Sequence, residues 1–285
     1  MIYYYAHTGH KVGLQRARRG VAVLKKLQEE GKEVQFLVND FRAGVAMKEE
    51  QGWQEYVTIE TIQDIDAIAQ TGDSVIIDSD EDDHGRLVKY VADFKSVLRF
   101  AHDSKDRSIH GEILFRPDCQ NEECLEAVIV DDIYFESTRK TERVLFFLGD
   151  HDHHKTILSQ PEFFKSFEME LLLGHYFFVK YEDDLAKLFE RVHEPEEYIE
   201  LITQSMTVVT AAAQTALEAK AGGAKVIYIA TEAVPLYPIG LLAEYGIRVV
   251  EGFDAPALQE ALTQESPKAK RMLKPYGYGK INTLL

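Results

Sequence analysis

Short apolar runs alternate with amphipathic stretches along almost the whole of this 285-residue chain. A short apolar run bounded by turn residues is typical of a buried strand, and apolar residues at helical spacing predict the helix that follows. Strands that alternate with helices form βαβ units, whose strands lie parallel in a sheet covered on both faces. The clearest predicted strands are Ile2–Ala6, Val34–Val38, Ser74–Asp78, Val97–Ala101, Val144–Leu148, His175–Lys180, Met206–Thr210 and Lys225–Ala230.

The alternation is interrupted by one polar segment, Glu136–Arg143, and then starts again. Single domains usually contain about 100–200 residues, so a chain of this length favours two domains. We therefore predict an α/β protein with two Rossmann-like domains that face a cleft. The expected bounds are residues 1–138 and 143–270, and the turn-rich residues 271–285 form a tail that is a candidate to cross back onto the first domain.

The composition excludes some partners. The net charge of −16 repels nucleic acid, so we expect no nucleic-acid partner. The sequence contains neither an apolar run of about eighteen residues nor a basic start followed by an apolar core, which predicts a cytoplasmic protein without a membrane span. Two cysteines, Cys119 and Cys124, are too few for a disulfide framework, and we expect both to be thiols. The oligomeric state is not predicted.

The loop after the first strand, His7–Arg19, carries several basic residues in an acidic chain. It opens a helix, and a helix N-terminus exposes unpaired N–H groups that suit anions. Arginine adds a fork of donors that matches phosphate or carboxylate. An anion site is one interpretation, and a solvated basic helix face is the other. The fingerprints of dinucleotide-binding and P-loop proteins are absent from the sequence.

A second loop follows the predicted strand Met206–Thr210. Its small side chains would let backbone N–H groups approach a diphosphate closely, and Glu218 would lie about two turns into the helix, where a carboxylate can accept hydrogen bonds from ribose. The alternative is a small-residue helix packed on the sheet, with Glu218 solvated. The candidate nucleotide-binding residues of this segment are Thr210, Ala211, Ala212, Ala213, Gln214 and Glu218.

Two polar loops contain residue types that bind metals. Gly149–Lys155 has three histidines and two aspartates, and Asp78–His84 is rich in carboxylates. A polar loop at the start of a domain and a helix-capping segment are the simpler explanations. We therefore predict neither a metal nor another cofactor.

Four segments in this order resemble the nucleotide-sugar enzymes of the glycosyltransferase-B architecture. Within these the chain is most similar to the UDP-sugar hydrolases of pseudaminic acid biosynthesis, which are related to the MurG glycosyltransferases. The similarity extends over nearly the full length, and the order of the segments carries more weight than any single one. The segments are Val75–Asp78, Leu98–Asp103, Val144–Asp152 and Ser205–Tyr228.

The first loop departs from the family pattern Gly-x-Gly-His-x-x-Arg, whose histidine is implicated in catalysis. When the loop is aligned through Arg19, Gly13 and Arg19 match, but Gln15 and Arg16 replace the second glycine and the histidine. An arginine stays protonated and cannot act as a general base. His10 lies in the same loop and is a candidate for the missing role, because histidine titrates near neutral pH.

The resemblance implies that a UDP-sugar is the ligand. One reaction that fits is hydrolysis of a UDP-linked amino sugar in nonulosonic (pseudaminic) acid biosynthesis, and another is glycosyl transfer from a UDP-sugar donor. The missing histidine motivates a third interpretation, a non-catalytic protein that binds a nucleotide sugar or a partner. The nucleotide would lie on the second domain at Thr210–Gln214, Glu218 and Gly149, with His10, Arg16 and Asp78 as catalytic residues and Gly13, Arg19 and Asp103 as anion or substrate contacts of the first domain.

Overall fold

A computed structural model describes residues 1–101, 105–119, 123–177, 181–231, 235–276 and 279–285. The chain divides into two compact units. Unit 1 consists of Met1–Asp131 together with Tyr276–Leu285, and unit 2 consists of Asp132–Pro275. In the part of the chain that the structure describes, no helix is both long and apolar enough to cross a bilayer.

Unit 1 is built on a parallel sheet whose seven described strands follow the order β3-β2-β1-β4-β5-β6-β7. The strands are β1 Ile2–Ala6, β2 Val34–Val38, β3 Tyr56–Thr58, β4 Ser74–Asp78, β5 Ser96–Phe100, β6 Ile113–Arg116 and β7 Cys124–Glu126. The helices before residue 131 are α1 Gln15–Glu29, α2 Phe41–Gln51, α3 Ile65–Ile68 and α4 Arg86–Asp93.

Strand β1 lies in the interior of this sheet, and both of its faces are apolar. All five of its residues are buried, as expected of a parallel strand covered by helices on both sides. Tyr3 and Tyr5 pack into a cluster with residues of the neighbouring strands. On the other face Gly20 of α1 lies against Tyr4, and a Cβ atom at Gly20 would be 2.6 Å from the Tyr4 ring. Glycine is therefore what lets α1 approach β1 this closely.

Unit 2 repeats the architecture with a parallel sheet of six described strands, in the order β10-β9-β8-β11-β12-β13. The strands are β8 Thr141–Phe147, β9 Glu170–Leu172, β10 Arg191–His193, β11 Ser205–Thr210, β12 Lys225–Ala230 and β13 Arg248–Glu251. The helices are α5 Thr156–Ser159, α6 Pro161–Lys165, α7 Glu182–Leu185, α8 Tyr198–Gln204, α9 Ala213–Ala221, α10 Ile239–Glu244 and α11 Ala255–Thr263. A last helix, α12 Gly279–Leu284, belongs to unit 1.

Several local predictions are wrong. The described part of the predicted strand His175–Lys180 contains no strand, and residues 178–180 lie outside the described residues. The nearest strand before this place is β9, Glu170–Leu172, which ends three residues before the predicted strand begins. Phe177 packs against the core of unit 2 without entering the sheet, so an apolar run was mistaken for a strand. The polar linker is also shorter than predicted, because β8 already begins at Thr141.

The two cysteines form a disulfide, which corrects the expectation of two thiols. Strand β7 pairs with β6, and Cys119 follows β6 by three residues. The Cα atoms of Cys119 and Cys124 are therefore only 5.7 Å apart, a separation that suits a disulfide.

Candidate functional site

In open parallel sheets, ligands bind outside the carboxyl ends of the strands, at the point where the strand order reverses. In unit 1 this switch point lies between β1 and β4, which end in register at Ala6 and Asp78. In unit 2 it lies between β8 and β11, which pair as far as Phe147 and Thr210. The predicted site residues Gly13, Arg16, Arg19, Gly149 and Ala211–Gln214 lie in the segments that follow β1, β8 and β11. Thr210 is the last residue of β11.

The switch point of unit 2 contains the start of α9. The Thr210 hydroxyl accepts a hydrogen bond from the Ala212 N–H at 3.0 Å, and Ala211 N–H donates to the Phe147 carbonyl at 3.2 Å. Helix α9 then begins at Ala213 without a side-chain cap. The N–H groups of a first helical turn have no acceptor within the helix. Small residues and a helix start without a side-chain cap thus coincide where the topology places a ligand.

Glu218 is buried in α9 rather than solvated, with 1% of its surface exposed. Its Oε2 accepts a hydrogen bond from the Tyr198 hydroxyl at 2.5 Å, and its Oε1 accepts one from the Gln214 amide at 2.9 Å. The Tyr198 oxygen also lies 2.6 Å from the hydroxyl of Thr215, and the Tyr237 hydroxyl donates to the Gln214 carbonyl oxygen at 2.9 Å. This network fixes the first turns of α9 against α8.

Gly149 follows the end of β8 by two residues and has a φ of 141°, a conformation that favours glycine. The neighbouring loop packs directly on it: a Cβ atom at Gly174 would lie 2.4 Å from the Gly149 carbonyl oxygen. Asp152 caps α5 by accepting hydrogen bonds from the N–H groups of Thr156 and Ile157. No group of three or more His, Cys, Asp or Glu residues that could hold a metal ion occurs among the described residues.

At the switch point of unit 1, Asp78 forms a buried ion pair with Arg19. The Arg19 fork donates to both carboxylate oxygens, at 2.6 and 2.5 Å, and the Tyr4 hydroxyl donates to Oδ2 at 2.9 Å. Arg19 also lies 3.7 Å from the centre of the Phe100 ring. Asp78 and Arg19 are 1% and 3% exposed. Their charges neutralise each other within the protein. This arrangement therefore favours a structural role for Asp78 over the predicted catalytic role, and a structural role for Arg19 over the predicted contact with an anion.

Next to this pair, Arg16 bridges two aspartates. Its Nε lies 3.6 Å from Asp78 Oδ1, and its Nη2 lies 3.1 Å from Asp80 Oδ2. The other oxygen of Asp80 lies 2.6 Å from His7 Nδ1. The hydrogen bond with His7, with a further contribution from the charge of Arg16, lowers the pKa of the Asp80 carboxyl far below its ordinary value. Asp80 is therefore ionised at neutral pH.

An open cavity of about 460 Å³ lies beside these groups in unit 1. The loop that forms one wall is turned tightly at Gly13, whose φ is 79° and whose N–H donates to the Gly9 carbonyl at 2.8 Å. Asn39, the first residue after β2, is joined to this loop because its side chain forms hydrogen bonds with both the N–H and the carbonyl of Thr8. The cavity is lined by His7, Thr8, Gly9, His10, Lys11, Val12, Asn39, Asp40, Phe41 and Thr58.

The structure brings some of the predicted residues together and not others. Arg16 and Asp78 are adjacent, whereas His10 is an exposed residue on the cavity wall. Asp103 lies outside the described residues. His7 and Asp80 were missed, although the loops that contain them were among the loops of interest. The sequence feature that could have identified them is their position within two residues of the ends of β1 and β4. This feature is informative only when the two strands are known to be neighbours.

Comparison with known structures defines the fold class first: the chain has the α/β architecture of glycosyltransferase-B proteins. Among similar structures is the UDP-GlcNAc 2-epimerase of Methanocaldococcus jannaschii in complex with UDP-GlcNAc and UDP, with 12% identity over 98% of this chain and 97% of that one and a TM-score of 0.56. The UDP-GlcNAc 2-epimerase of Neisseria meningitidis bound to UDP-GlcNAc has 11% identity, coverage of 93% and 91%, and a TM-score of 0.57. A glycosyltransferase of Rickettsia africae ESF-5 has 11% identity, coverage of 92% and 86%, and a TM-score of 0.55.

At these identities the similarity concerns the fold. No protein-family model matches the sequence, and no curated protein sequence is similar to it.

Proposed function

We propose that this protein is a UDP-sugar-processing enzyme that binds the nucleotide on unit 2. The observation that carries the proposal is the uncapped start of α9 at the switch point of unit 2, in a fold shared with proteins whose structures contain UDP-GlcNAc. A diphosphate would accept hydrogen bonds from the first-turn N–H groups and would gain from the positive end of the helix dipole.

The side chains around this helix start support a diphosphate. Ala211, Ala212 and Ala213 are small enough for a phosphate to reach the backbone, and Thr210 already satisfies the N–H of Ala212. Glu218 remains a proposed ribose contact, because it lies in the second turn of α9, close to the proposed diphosphate site.

The reaction that we propose is hydrolysis of a UDP-linked amino sugar, as in the pseudaminic acid pathway. Water would attack the anomeric carbon, and UDP would leave. Glycosyl transfer to an acceptor hydroxyl is the second candidate, which the similarity to a glycosyltransferase fold supports. The loss of the family histidine at Arg16 supports binding without catalysis as a third candidate, and the same experiment separates the three.

The experiment combines binding and turnover. We expect UDP to raise the melting temperature and to bind more tightly than uridine in calorimetry, because the diphosphate makes the contacts with α9. A panel of UDP-sugars that includes UDP-GlcNAc is then tested for release of UDP. Release in water alone indicates hydrolysis, and release that requires an added acceptor indicates transfer. Binding without release indicates the non-catalytic protein, and the absence of any UDP binding would refute the proposal.

A pair of variants tests the location of the nucleotide. Ala212 has the extended backbone that N-cap residues adopt, so both Ala212→Ser and Ala212→Asp can cap α9. Only the aspartate adds a negative charge beside the diphosphate. We expect Ala212→Asp to weaken UDP binding at least roughly ten-fold more than Ala212→Ser does, with circular dichroism showing that both variants are folded. Equal affinities would place the nucleotide elsewhere.

A further inference from the structure

A buried chain of two hydrogen bonds connects the segment after β12 to the start of α9. The Tyr237 hydroxyl donates to Gln214 Oε1 at 2.9 Å, and Gln214 Nε2 donates to Glu218 Oε1 at 2.9 Å. Tyr237, Gln214 and Glu218 are 1%, 0% and 1% exposed. Because bulk water does not reach these bonds, it does not replace a partner that is removed.

The chemistry of the glutamine side chain determines its orientation. A side-chain amide has an acceptor oxygen on one arm and a donor NH₂ group on the other. The Glu218 carboxylate accepts from the NH₂ group, so the amide oxygen faces Tyr237, which is the donor that this oxygen requires. The three side chains therefore fit together in one arrangement, and Tyr237→Phe would remove this donor from the Gln214 oxygen.

Gln214 is the second residue of α9 and so belongs to the first turn of this helix. The turn has no side-chain cap at Ala212, whereas a cap commonly fixes a first turn by bonding to its N–H groups. Here the Gln214 side chain is held at both of its arms, which restricts the backbone of the first turn from the interior. The same turn carries the N–H groups to which the proposed function assigns the diphosphate.

Tyr237 is itself held in place by its neighbours in sequence. It directly precedes Pro238, and the residue before a proline is restricted to extended backbone conformations. Pro238 is the N-cap of α10, and its carbonyl accepts a hydrogen bond from the Leu241 N–H at 2.9 Å. Helix α10 packs against α9. The position of the Tyr237 hydroxyl relative to α9 is therefore set by α10 and by the restricted backbone of Tyr237.

We propose that Tyr237 is a positioning residue of the nucleotide site, an inference that rests on the proposed binding of UDP to unit 2. Tyr237 acts through Gln214: its hydroxyl holds the amide, and the amide holds the first turn of α9 where the N–H groups meet the diphosphate. The nucleoside depends less on Tyr237, because Glu218, the proposed ribose contact, keeps the hydrogen bond from Tyr198. In this role Tyr237 does not touch the ligand.

The first test compares the binding of UDP and of uridine to the wild type and to Tyr237→Phe. Loss of one hydrogen bond typically changes an equilibrium constant by a factor of roughly three to ten, and we expect the dissociation constant for UDP to rise by this factor. The dissociation constant for uridine should change less than about two-fold. Calorimetry measures the affinity for UDP, and NMR titration measures the weaker binding of uridine. Equal losses for both ligands would mean that Tyr237 supports unit 2 as a whole, and would overturn the inference.

The matched control is Tyr90→Phe. Tyr90 is also buried, and its hydroxyl donates to the Ile62 carbonyl at 2.8 Å, but it belongs to unit 1. Each variant loses one buried hydrogen bond of a tyrosine, so both should melt at a lower temperature than the wild type. Only Tyr237→Phe should bind UDP more weakly. An equal weakening in Tyr90→Phe would attribute the effect to the general loss of stability and would overturn the inference.

A double-mutant cycle tests whether Tyr237 acts through Gln214. Gln214→Met keeps the length of the side chain and removes the amide that Tyr237 holds. We expect Gln214→Met to weaken UDP binding, and we expect Tyr237→Phe to cause no further loss in this background, because the hydrogen bond is already absent. Additive losses would show that Tyr237 acts by another route and would overturn the inference. Gln214→Leu takes the place of Gln214→Met if circular dichroism shows that the latter is poorly folded.

The outcomes separate this inference from the proposed function. If the wild type does not bind UDP, the proposed function fails and the inference fails with it. If the wild type binds UDP and Tyr237→Phe binds it equally well, the inference is overturned and the proposed function stands. A selective loss for UDP in Tyr237→Phe that disappears in the Gln214→Met background supports both.

Discussion

The two switch points have the same topology and opposite chemistry. In unit 1 the ends of β1 and β4 hold a chain of charged groups that runs from Arg19 through Asp78 and Arg16 to Asp80. In unit 2 the segments after β8 and β11 contain glycine and alanine. The buried polar side chains of α9 form hydrogen bonds with one another and with Tyr198. A Rossmann-like scaffold fixes where a ligand can lie, and the residues just after the strands decide what that place can do.

The difference matters for how each unit would act on a substrate. Backbone N–H groups can hold an anion without supplying a charge that needs its own partner. Charged side chains can move protons, but in the interior each of them must be paired. The contrast therefore predicts that unit 1 is sensitive to loss of a charge and unit 2 to loss of buried hydrogen bonds. Four changes test it, from the largest expected effect to the smallest.

The largest effect should come from Arg19→Met. This change leaves the buried Asp78 carboxylate without its main partner, and breaking a buried pair typically costs about 3–5 kcal/mol of the free energy of unfolding. Trp53, the only tryptophan, lies in unit 1, so its fluorescence during urea unfolding follows this unit. The matched control is Arg42→Met, which breaks an exposed pair with Asp40 and should cost about 0–1 kcal/mol. Similar losses in both variants would show that burial of the pair does not matter.

Glu218→Ala should have the next largest effect, and it should act on unit 2. The Tyr198 hydroxyl and the Gln214 amide would lose a buried acceptor, which typically costs about 1–3 kcal/mol. The free energy is measured by circular dichroism, and the transition of Trp53 in unit 1 should stay in place. Glu218→Gln keeps an acceptor oxygen and should lose less of the free energy of unfolding than Glu218→Ala. Equal losses in the two variants would contradict a role of the acceptor oxygen.

Asp80→Asn should have a smaller effect that depends on pH. Because the pKa of Asp80 is lower in the folded protein than its ordinary value of 3.8, its ionisation stabilises the fold above that value, and the contribution is lost as the pH falls below about 4. Since half of the side chain is exposed, solvent screening limits the effect to about 1 kcal/mol. The difference in melting temperature between wild type and variant should be constant from pH 7 to about 5 and should shrink progressively below pH 4. A difference that stays constant below about pH 4 would contradict the shift.

The smallest effect should come from Phe41→Ala on the wall of the cavity. The side chain is 61% exposed, and surface substitutions usually change stability by less than about 0.5 kcal/mol. The melting temperature should therefore hardly change. A clear decrease in the melting temperature would show that the Phe41 side chain is buried in solution.

The sequence contained enough information for the architecture but not for the pairing of the side chains. The alternation predicted the central strands, because buried parallel strands consist of apolar runs. It missed β9, whose three residues begin with a glutamate, and it placed a strand at Phe177, where an apolar side chain fills the core from a turn. Short segments like these take their conformation from tertiary packing more than from their own residues.

For the candidate site, the sequence indicated the correct loops but not the partners. Arg16 and Arg19 were predicted to contact an anion of the substrate, and in the structure both are paired with aspartates of the protein itself. Such an arginine can bind a substrate anion only if no carboxylate of the protein is paired with it. Whether a carboxylate lies beside it can be judged only when β1 and β4 are known to be adjacent. The same adjacency brings His7 to Asp80, so neither residue could be singled out from local patterns.

The return of the chain from unit 2 to unit 1 has a consequence for how the protein is made. Domains usually fold one after another as they leave the ribosome. Unit 1 contains the first 131 residues together with Tyr276–Leu285, so translation must pass through the whole of unit 2 before unit 1 can be completed. Until then Ile281 and Leu285, both buried in the finished structure, are missing from it, and Lys95 lacks the Leu285 carbonyl to which it donates. Unit 1, whose synthesis begins first, is therefore the last to be completed.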